Sequence, residues 1–407
     1  MTDARSRCRT AVRILGQAAA AGMAALLVAC GGGGGDGAQA LSTPAPTAAP
    51  ASFSGAITGF GSIIVNGVRI DVSAARTTLD DDNPNASADD LRLGMVVEVQ
   101  GERDNNGLTG RATTVASHSF VQGPVSAVST AAGSFVVLGV TVTVSPSTVF
   151  SGDGLSGLAA LALNDIVEVH GLPEATGASL KATRIERKSP TSEARLIGTV
   201  QNASAGSFTI NGITVQFTPA VLVNLPAGVT NGAVVRVKGT LTSPTVISAT
   251  RVRGITLAPV VVQGQRAEIE GVVSRLTSAT DFEISGLRVT VPGNATVRGT
   301  PLLGARVEVK GTVVNGVLVA TEVEVEDEQH EANEANELRG TIASLNRSAQ
   351  TFTLDVGGVT VQWNSATVFD NSTLPRGADD LAVGMRLEVK GRTVGNVVVA
   401  SRIKRDS

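Results

Sequence analysis

The sequence predicts an all-β chain of five tandem small barrels behind an export signal and a flexible tether, and three observations predict it. The first is a repeat. Val97-Glu98-Val99-Gln100-Gly101 returns as Val167-Glu168-Val169-His170-Gly171, Val235-Arg236-Val237-Lys238-Gly239, Val307-Glu308-Val309-Lys310-Gly311 and Leu387-Glu388-Val389-Lys390-Gly391. The closing glycines lie 70, 68, 72 and 80 residues apart, a spacing of whole small domains and too long for a solenoid coil. The second is the period-two alternation inside each copy, which packs one face inward and carries Glu, Arg, Lys or Gln on the other into water. The third is composition: valine, threonine and glycine abound, aromatic residues make up 3% and tyrosine is absent, a balance that suits short strands joined by tight turns.

Residues 1–29 obey other rules. Arg5, Arg7, Arg9 and Arg13 form a basic start, an Ala/Leu-rich apolar run extends from Ile14 to Val28, and Leu27-Val28-Ala29-Cys30 closes it. So short a run between such flanks reads as an export signal and not as a membrane span. Its ending resembles the lipobox of bacterial lipoproteins, which implies acylation of Cys30, removal of residues 1–29 and, with Gly31 instead of Asp after the cysteine, delivery to the outer membrane. Loss of the leader takes Cys8 with it, so no thiol is left for a disulfide or a metal. It also leaves 29 basic and 35 acidic residues, a balance that fits phosphate backbones poorly. Residues 30–52 hold five consecutive glycines and then Thr43-Pro44-Ala45-Pro46-Thr47-Ala48-Ala49-Pro50, a flexible and then extended tether. A cofactor loop would need a strand before those glycines and a helix after them, and the pattern offers neither.

Domain 1 covers residues 53–118. Strands begin at Gly55-Ala56-Ile57 and Ser62-Ile63-Ile64-Val65, and Asn66-Gly67 turns the second into Val68-Arg69-Ile70-Asp71-Val72, the strongest short-range hairpin signal. An acidic loop follows, then Ala88-Asp89-Asp90-Leu91 as one helical turn capped by Asp89, then the Val-Glu-Val strand, a turn at Asn105-Asn106-Gly107 and a last strand from Ala112 to Val115. Domains 2 (121–188), 3 (195–254), 4 (268–325) and 5 (338–404) repeat this order. Their hairpins turn at Gly139, Asn211-Gly212, Ser285-Gly286 and Gly357-Gly358. Phe135, Phe208, Phe282 and Phe352 recur at one place among apolar neighbours at period two and belong to the core. Three strands, a helical link and two strands is the order of an OB-type five-stranded barrel, which removes exposed edges; a small open sandwich is the other solution. Between domains, Ala258-Pro259-Val260-Val261-Val262 is suited to pairing with a neighbour, and residues 326–337 form an acidic linker.

Taken together, the opening Gly-x-Val or Gly-x-Ile, the glycine-centred hairpin, Asp-Leu-x-x-Gly-Met at 90–95 and 380–385, the Val-Glu-Val-x-Gly strand and the closing strand rich in Ala, Thr and Arg resemble a family of bacterial lipoproteins with tandem β domains, catalogued only as domain of unknown function 5666. The resemblance covers nearly all of residues 53–404. It implies a fold and a compartment and brings no catalytic residues, because its motifs are structural.

The chemical inventory is thin. Three histidines, one tryptophan and no remaining thiol do not make a nucleophile and base, and nucleophile elbows, Walker loops and His-Glu-x-x-His are missing. His170 takes the outward place of Gln100 and Lys238 and is expected in solvent. His118 follows the last strand of domain 1, and His330 in the acidic linker has no spaced partners for a metal. The best Ca²⁺ candidate is the loop with Asp80, Asp81, Asp82, Asp89 and Asp90, oxygen-rich but without EF-hand spacing, so a solvated loop is the competing interpretation. Trp363 is the one candidate for stacking on a glycan, against a role in the core. Nucleic-acid binding would need a basic groove with exposed aromatics. The expectation is therefore a lipid-anchored, non-enzymatic envelope scaffold, with Ca²⁺ or glycan binding through loops of domains 1 and 5 as the alternative and an unknown envelope protein or glycan as partner.

Overall fold

In domain 1 the alternating apolar residues close a circuit of strands. The strands are β1 (Ala49–Phe60), β2 (Ile63–Val65), β3 (Val68–Asp71), β4 (Arg76–Leu79), β5 (Val96–Arg103) and β6 (Thr109–Ser117). β1 pairs antiparallel with β5 through its first half, Ala49↔Arg103 to Ala56↔Val96, and with β2 through its second half, Ile57↔Val65 and Gly59↔Ile64. Asn66 and Gly67, at φ of 52° and 73°, turn β2 into β3. β3 then lies parallel to β6, and β6 returns antiparallel to β5. The circuit β1-β2-β3-β6-β5-β1 is a closed five-membered barrel in OB order. These coordinates are a computed structural model, which describes residues 48–80, 86–174, 177–326, 336–394 and 397–406.

The order expected from sequence lacks β4, and the reason is visible in the register. β3 and β4 both lie parallel on β6, at Thr109–Arg111 and Thr114–Ser117, so they are one strand broken by a turn and the barrel stays five-membered. Domain 2 breaks its third strand likewise, with Val140–Thr143 and Val149–Ser151 both parallel to Ser179–Arg187. A second correction concerns the link. A 3-10 turn forms in domains 1, 2 and 5 (Ala88–Asp90, Leu158–Ala160, Gly377–Asp380), whereas domains 3 and 4 cross by plain turns. Its cap in domain 1 is Ser87, not Asp89: Ser87 accepts from the Asp89 N–H, and Asp90 accepts from the Ser87 N–H at 2.9 Å.

Two glycines of the repeat have specific physical roles. Each Val-Glu-Val-x-Gly motif ends at a β-bulge, at Gln100/Gly101, His170/Gly171, Lys238/Gly239, Lys310/Gly311 and Lys390/Gly391. There a side chain on the glycine would run into a carbonyl oxygen of the closing strand, that of Arg111, Lys181, Ser248, Val319 or Val399. The opening glycines Gly55, Gly123, Gly198 and Gly271 sit under the hairpin turn, so a Cβ would collide with Asn66, Leu138, Ile210 or Ser285. Close approach of a carbonyl at the bulge and of side chains under the turn, and not strand propensity, explains why these positions recur.

Inside each circuit the motif's apolar residues fill the core: Val97, Val99, Val167, Val169, Val235, Val237, Val307, Val309, Leu387 and Val389 are each no more than 1% exposed. Phe135, Phe208, Phe282 and Phe352 are equally buried. The domains nonetheless do not hang as separate units, and residues 46–407 form one compact body. Every strand pairing between domains joins two opening strands. β1 pairs parallel with the opening strand of domain 4 (Arg266–Ser278), Ala51↔Arg266 to Ser54↔Ile269, and with that of domain 5 (Asn336–Asn346) at Gly59↔Glu337 and Phe60↔Leu338. The opening strands of domains 2 (Val121–Ser129) and 3 (Glu193–Thr199) meet antiparallel at Val121↔Leu196 and Gln122↔Arg195. The apolar cores of domains 1 and 5 merge, as do those of 2 and 3, while domain 4 keeps its own. Residues 258–262 add no strand: Ala258 and Val261 pack on the core of domain 4, and Val260 offers its carbonyl to Gln100 Nε2 at 3.0 Å. Residues 327–335 of the acidic linker lie outside the described residues.

Gly311→Ala is expected to lower stability by about 2–3 kcal/mol because the Val319 carbonyl cannot move without opening the bulge. Gly293→Ala, where an added methyl touches nothing within 4 Å, is expected to stay within about 0.5 kcal/mol of the parent. Urea unfolding followed by circular dichroism measures both, and equal midpoints would refute the carbonyl-contact account.

Candidate functional site

Domains 1, 2, 4 and 5 converge on a cleft of about 790 Å³, within the range of roughly 300–1,000 Å³ typical of small-molecule sites. Its wall carries hydroxyls, Thr58 from domain 1, Ser145, Ser147 and Thr148 from domain 2 and Thr393 from domain 5, with Phe150 and Val149 as apolar floor. Three guanidinium groups, Arg69, Arg306 and Arg392, face a single carboxylate, Glu337. Glu337 is held by Arg69, by Arg339 at 3.2 Å and by Lys390 at 3.7 Å. Partial burial works to raise its pKa, but these cations outweigh it and keep the carboxyl below its usual range. Arg306 is paired with Glu270 and donates to Ser147 Oγ at 3.2 Å, tying domain 4 to domain 2. Arg392 is exposed, and its guanidinium makes no hydrogen bond or ion pair among the described residues. The cleft thus presents spare positive charge beside many hydroxyls.

The residues singled out from sequence are placed elsewhere. Asp80, at φ 44°, acts as a clasp: it accepts from the Ser119 N–H at 2.8 Å and pairs with Arg195, joining domain 1 to domain 3. Asp90 completes the cap, Asp89 is exposed, and Asp81 and Asp82 lie outside the described residues. Among the described residues no group of three or more His, Cys, Asp and Glu side chains is arranged to hold a metal ion. Trp363 is 5% exposed and stacks on Phe352 with ring centroids 6.0 Å apart, so it offers no open face to a sugar. His170, expected in solvent, is 3% exposed, with Nε2 3.6 Å from Glu168 Oε1. Cys30 and His330 lie outside the described residues.

The correction at His170 extends to other charged residues at the joints between domains. Part of the face expected to meet water is where domains meet one another, and there Glu168, Glu268 and Glu270 are buried, whereas Lys390, the counterpart of His170 in domain 5, remains exposed. Burial works to raise the Glu168 carboxyl, yet His170, Lys188 and the domain 3 residue Arg195 hold it at about 2. Glu268 on the opening strand of domain 4 pairs with Arg103 of domain 1. There burial outweighs Arg103 and Lys310, the like charges of Glu308 and Glu322 add to it, and the carboxyl is pushed up to about 7. Glu270, two residues on, accepts from the Ala56 N–H at 2.8 Å, and Asn66 Nδ2 donates to the Glu268 carbonyl at 2.9 Å. Sequence reasoning missed these seam residues and Arg392. Period two places Glu268 and Glu270 on an outward face and contains no signal that another domain covers it.

A chain of five OB-order barrels, closed by strand pairing in domains 1, 2, 4 and 5 and by the single bridge Gln201↔Thr209 in domain 3, each built on the same bulged strand and joined through charged seams, is a tandem-repeat β protein. It belongs to the family Domain of unknown function (DUF5666), whose model matches residues 54–116, 122–186, 197–253, 270–324 and 339–404. No curated protein matches the chain. Among solved structures, Drosophila Unr CSD456 is similar at 16% identity, with 52% of this chain and 98% of that chain covered and a TM-score of 0.17, a superposition too poor to transfer anything.

The two buried carboxylates predict opposite pH responses. Glu268 binds its proton more tightly in the fold than the ordinary 4.5, so its contribution is full below about pH 4.5 and is lost as pH rises through 7. Glu168 binds its proton less tightly in the fold, so its contribution is present above about pH 4.5 and is lost as pH falls toward 2. Thermal melts from pH 5 to 8 should slope downward for the parent and be flatter for Glu268→Gln; identical slopes would contradict the burial argument.

Proposed function

We propose that the chain is a non-enzymatic scaffold of the cell envelope, anchored through acylated Cys30 and most at home on the outer membrane. The observation that carries this reading is the use of the charged residues. Glu168, Glu268, Glu270, Arg306 and Asp80 are spent on seams between barrels, which makes a stiff multi-domain body out of units that are each too small to be robust. The basic start, the short apolar run and Leu27-Val28-Ala29-Cys30 support the anchor, and residues 31–48 supply the tether, which ends earlier than the sequence suggested because residues 49–52 already belong to β1. Labelled palmitate is expected to enter the parent and not Cys30→Ala in a bacterial host, and equal labelling of both would end the anchoring proposal.

The cleft favours a second reading, a ligand-binding envelope protein that takes a small acidic saccharide between the loops of domains 1 and 5. Arg392 would pair with the carboxylate and the Ser/Thr wall with the sugar hydroxyls. Titration calorimetry of the full chain with glucuronate should then give a saturable site, weakened at least about tenfold by Arg392→Ala, the scale of a lost charge-assisted hydrogen bond. Glucose, which lacks the carboxylate, should bind more weakly. Absence of saturable heat with glucuronate counts against this reading and leaves the scaffold untouched.

A further inference from the structure

One contact between domains 1 and 2 has its two halves displayed, undocked, elsewhere on the chain. The turn before β5 in domain 1 projects a corner, Leu93-Gly94, onto domain 2. Thr183 Oγ1 donates to the Gly94 carbonyl at 2.6 Å and Arg184 Nη1 to the Leu93 carbonyl at 3.2 Å. Val149 packs against the core of domain 1, and Leu93 is 4% exposed. The fit is close enough that a side chain on Gly94 would collide with Thr183, Arg184 and Val149. The corner is thus an apolar residue followed by a tight turn that offers two carbonyls, and the socket is a valine beside a hydroxyl and an arginine.

The same corner projects from domains 4 and 5 with nothing on it, while domain 2 has Asn164 in place of the glycine, whose side chain the socket would not admit. Leu163, Leu303 and Val383, the counterparts of Leu93, are 62%, 67% and 63% exposed. A methyl built on Gly304 or Gly384 would meet no atom within 4 Å. The socket also recurs. In domain 3, Val221 is 57% exposed and pairs in register with Arg251, which follows the bulge residue Thr250. In domain 5, Val368 is 60% exposed and pairs with Arg402, which follows Ser401. Domains 1 and 4 lack the socket, having Arg76 and Thr114, or Thr296 and Glu322, at the corresponding places.

The bulge hydroxyl marks the difference between filled and empty. Thr250 and Ser401 are exposed and turn back to the carbonyls of Lys238, at 3.2 Å, and Lys390, at 3.0 Å. Thr183 instead reaches across to domain 1 and is buried. A hydroxyl that bonds its own strand when free and a neighbour's corner when docked can exchange one for the other with no loss of hydrogen bonds.

We propose that the free corners of domains 4 and 5 dock into the free sockets of domains 3 and 5 on a second copy of this chain, repeating between molecules the joint that links domains 1 and 2. Corner and socket are different surfaces and each is present twice, so a joint between two molecules leaves a further corner and socket with which to recruit a third. It goes beyond the scaffold reading and stands whether or not Cys30 is acylated.

Sedimentation of the full chain in detergent tests it. The parent should form species heavier than one chain whose share grows with concentration. The socket pair Val221→Asp with Val368→Asp, and separately the corner pair Leu303→Asp with Val383→Asp, should each sediment as single chains. Mixing the two variants should restore association, because one retains the free corners and the other the free sockets. All four positions are exposed, and an unchanged melting curve separates lost association from lost fold; if Val221→Asp unfolds, Thr250→Arg blocks the same socket. A single-chain parent at every concentration, or association that both variants retain, would falsify the proposal, and clustering through acyl chains would give the latter result.

Discussion

The constraint on which the rest of the structure depends is the half-open edge of the opening strand. In each barrel this strand bends, pairing with the Val-Glu-Val strand along its first half and with the hairpin along its second. In domain 1 the first half of β1 is bound on one edge by β5 and the second half by β2. The opposite edge of each half would otherwise expose unpaired N–H and C=O groups, a standing liability in β proteins. Domain 4 fills the first of these edges and domain 5 the second. The opening strand of domain 1 is therefore covered along both halves only because domains 4 and 5 lend it their own opening strands.

From that geometry follows the placement of charge. Once opening strands pair across domains, the polar faces beside them are pressed together, and each buried carboxylate or guanidinium must find a partner there or remain neutral. Glu168 finds Lys188 and Arg195 and stays charged; Glu268 has Arg103 beside it but also Glu308 and Glu322, and burial prevails. These seams specify which domain meets which, since a non-matching neighbour would leave a charge buried without relief. The same logic makes the body stiff, as a five-membered string of marginal barrels would not be, and leaves a cleft at the convergence where Arg392 remains unspent.

Within a domain, much was legible from local chemistry. Asn66-Gly67 and Ser285-Gly286 announce hairpins because both residues of the turn need positive φ, and both have it. The alternation around Val97 and Val309 announces which face is core because an inward slip by one residue would bury the charges instead. The break that separates β4 from β3 was not legible, since a turn inside a strand that keeps its partner leaves no change in periodicity. Asp80 and His170 read as solvated for a different reason: an acidic loop residue and an outward histidine look exposed until the domain 3 residue Arg195, over 100 residues from Asp80, is brought against Asp80 and against Glu168 beside His170.

By itself the sequence determined the number of domains, the order of strands within each and the inward face of every motif strand. These depend on interactions between residues close along the chain and on a repeat that displays them five times. Only the tertiary structure decided that domains 1, 4 and 5 share one set of paired opening strands and domains 2 and 3 another, and that the polar faces are joints. Those outcomes depend on which free edge lies near which, over separations of more than 200 residues between Ala51 and Arg266, and a period of two is the same whether an outward side chain meets water or a neighbouring barrel.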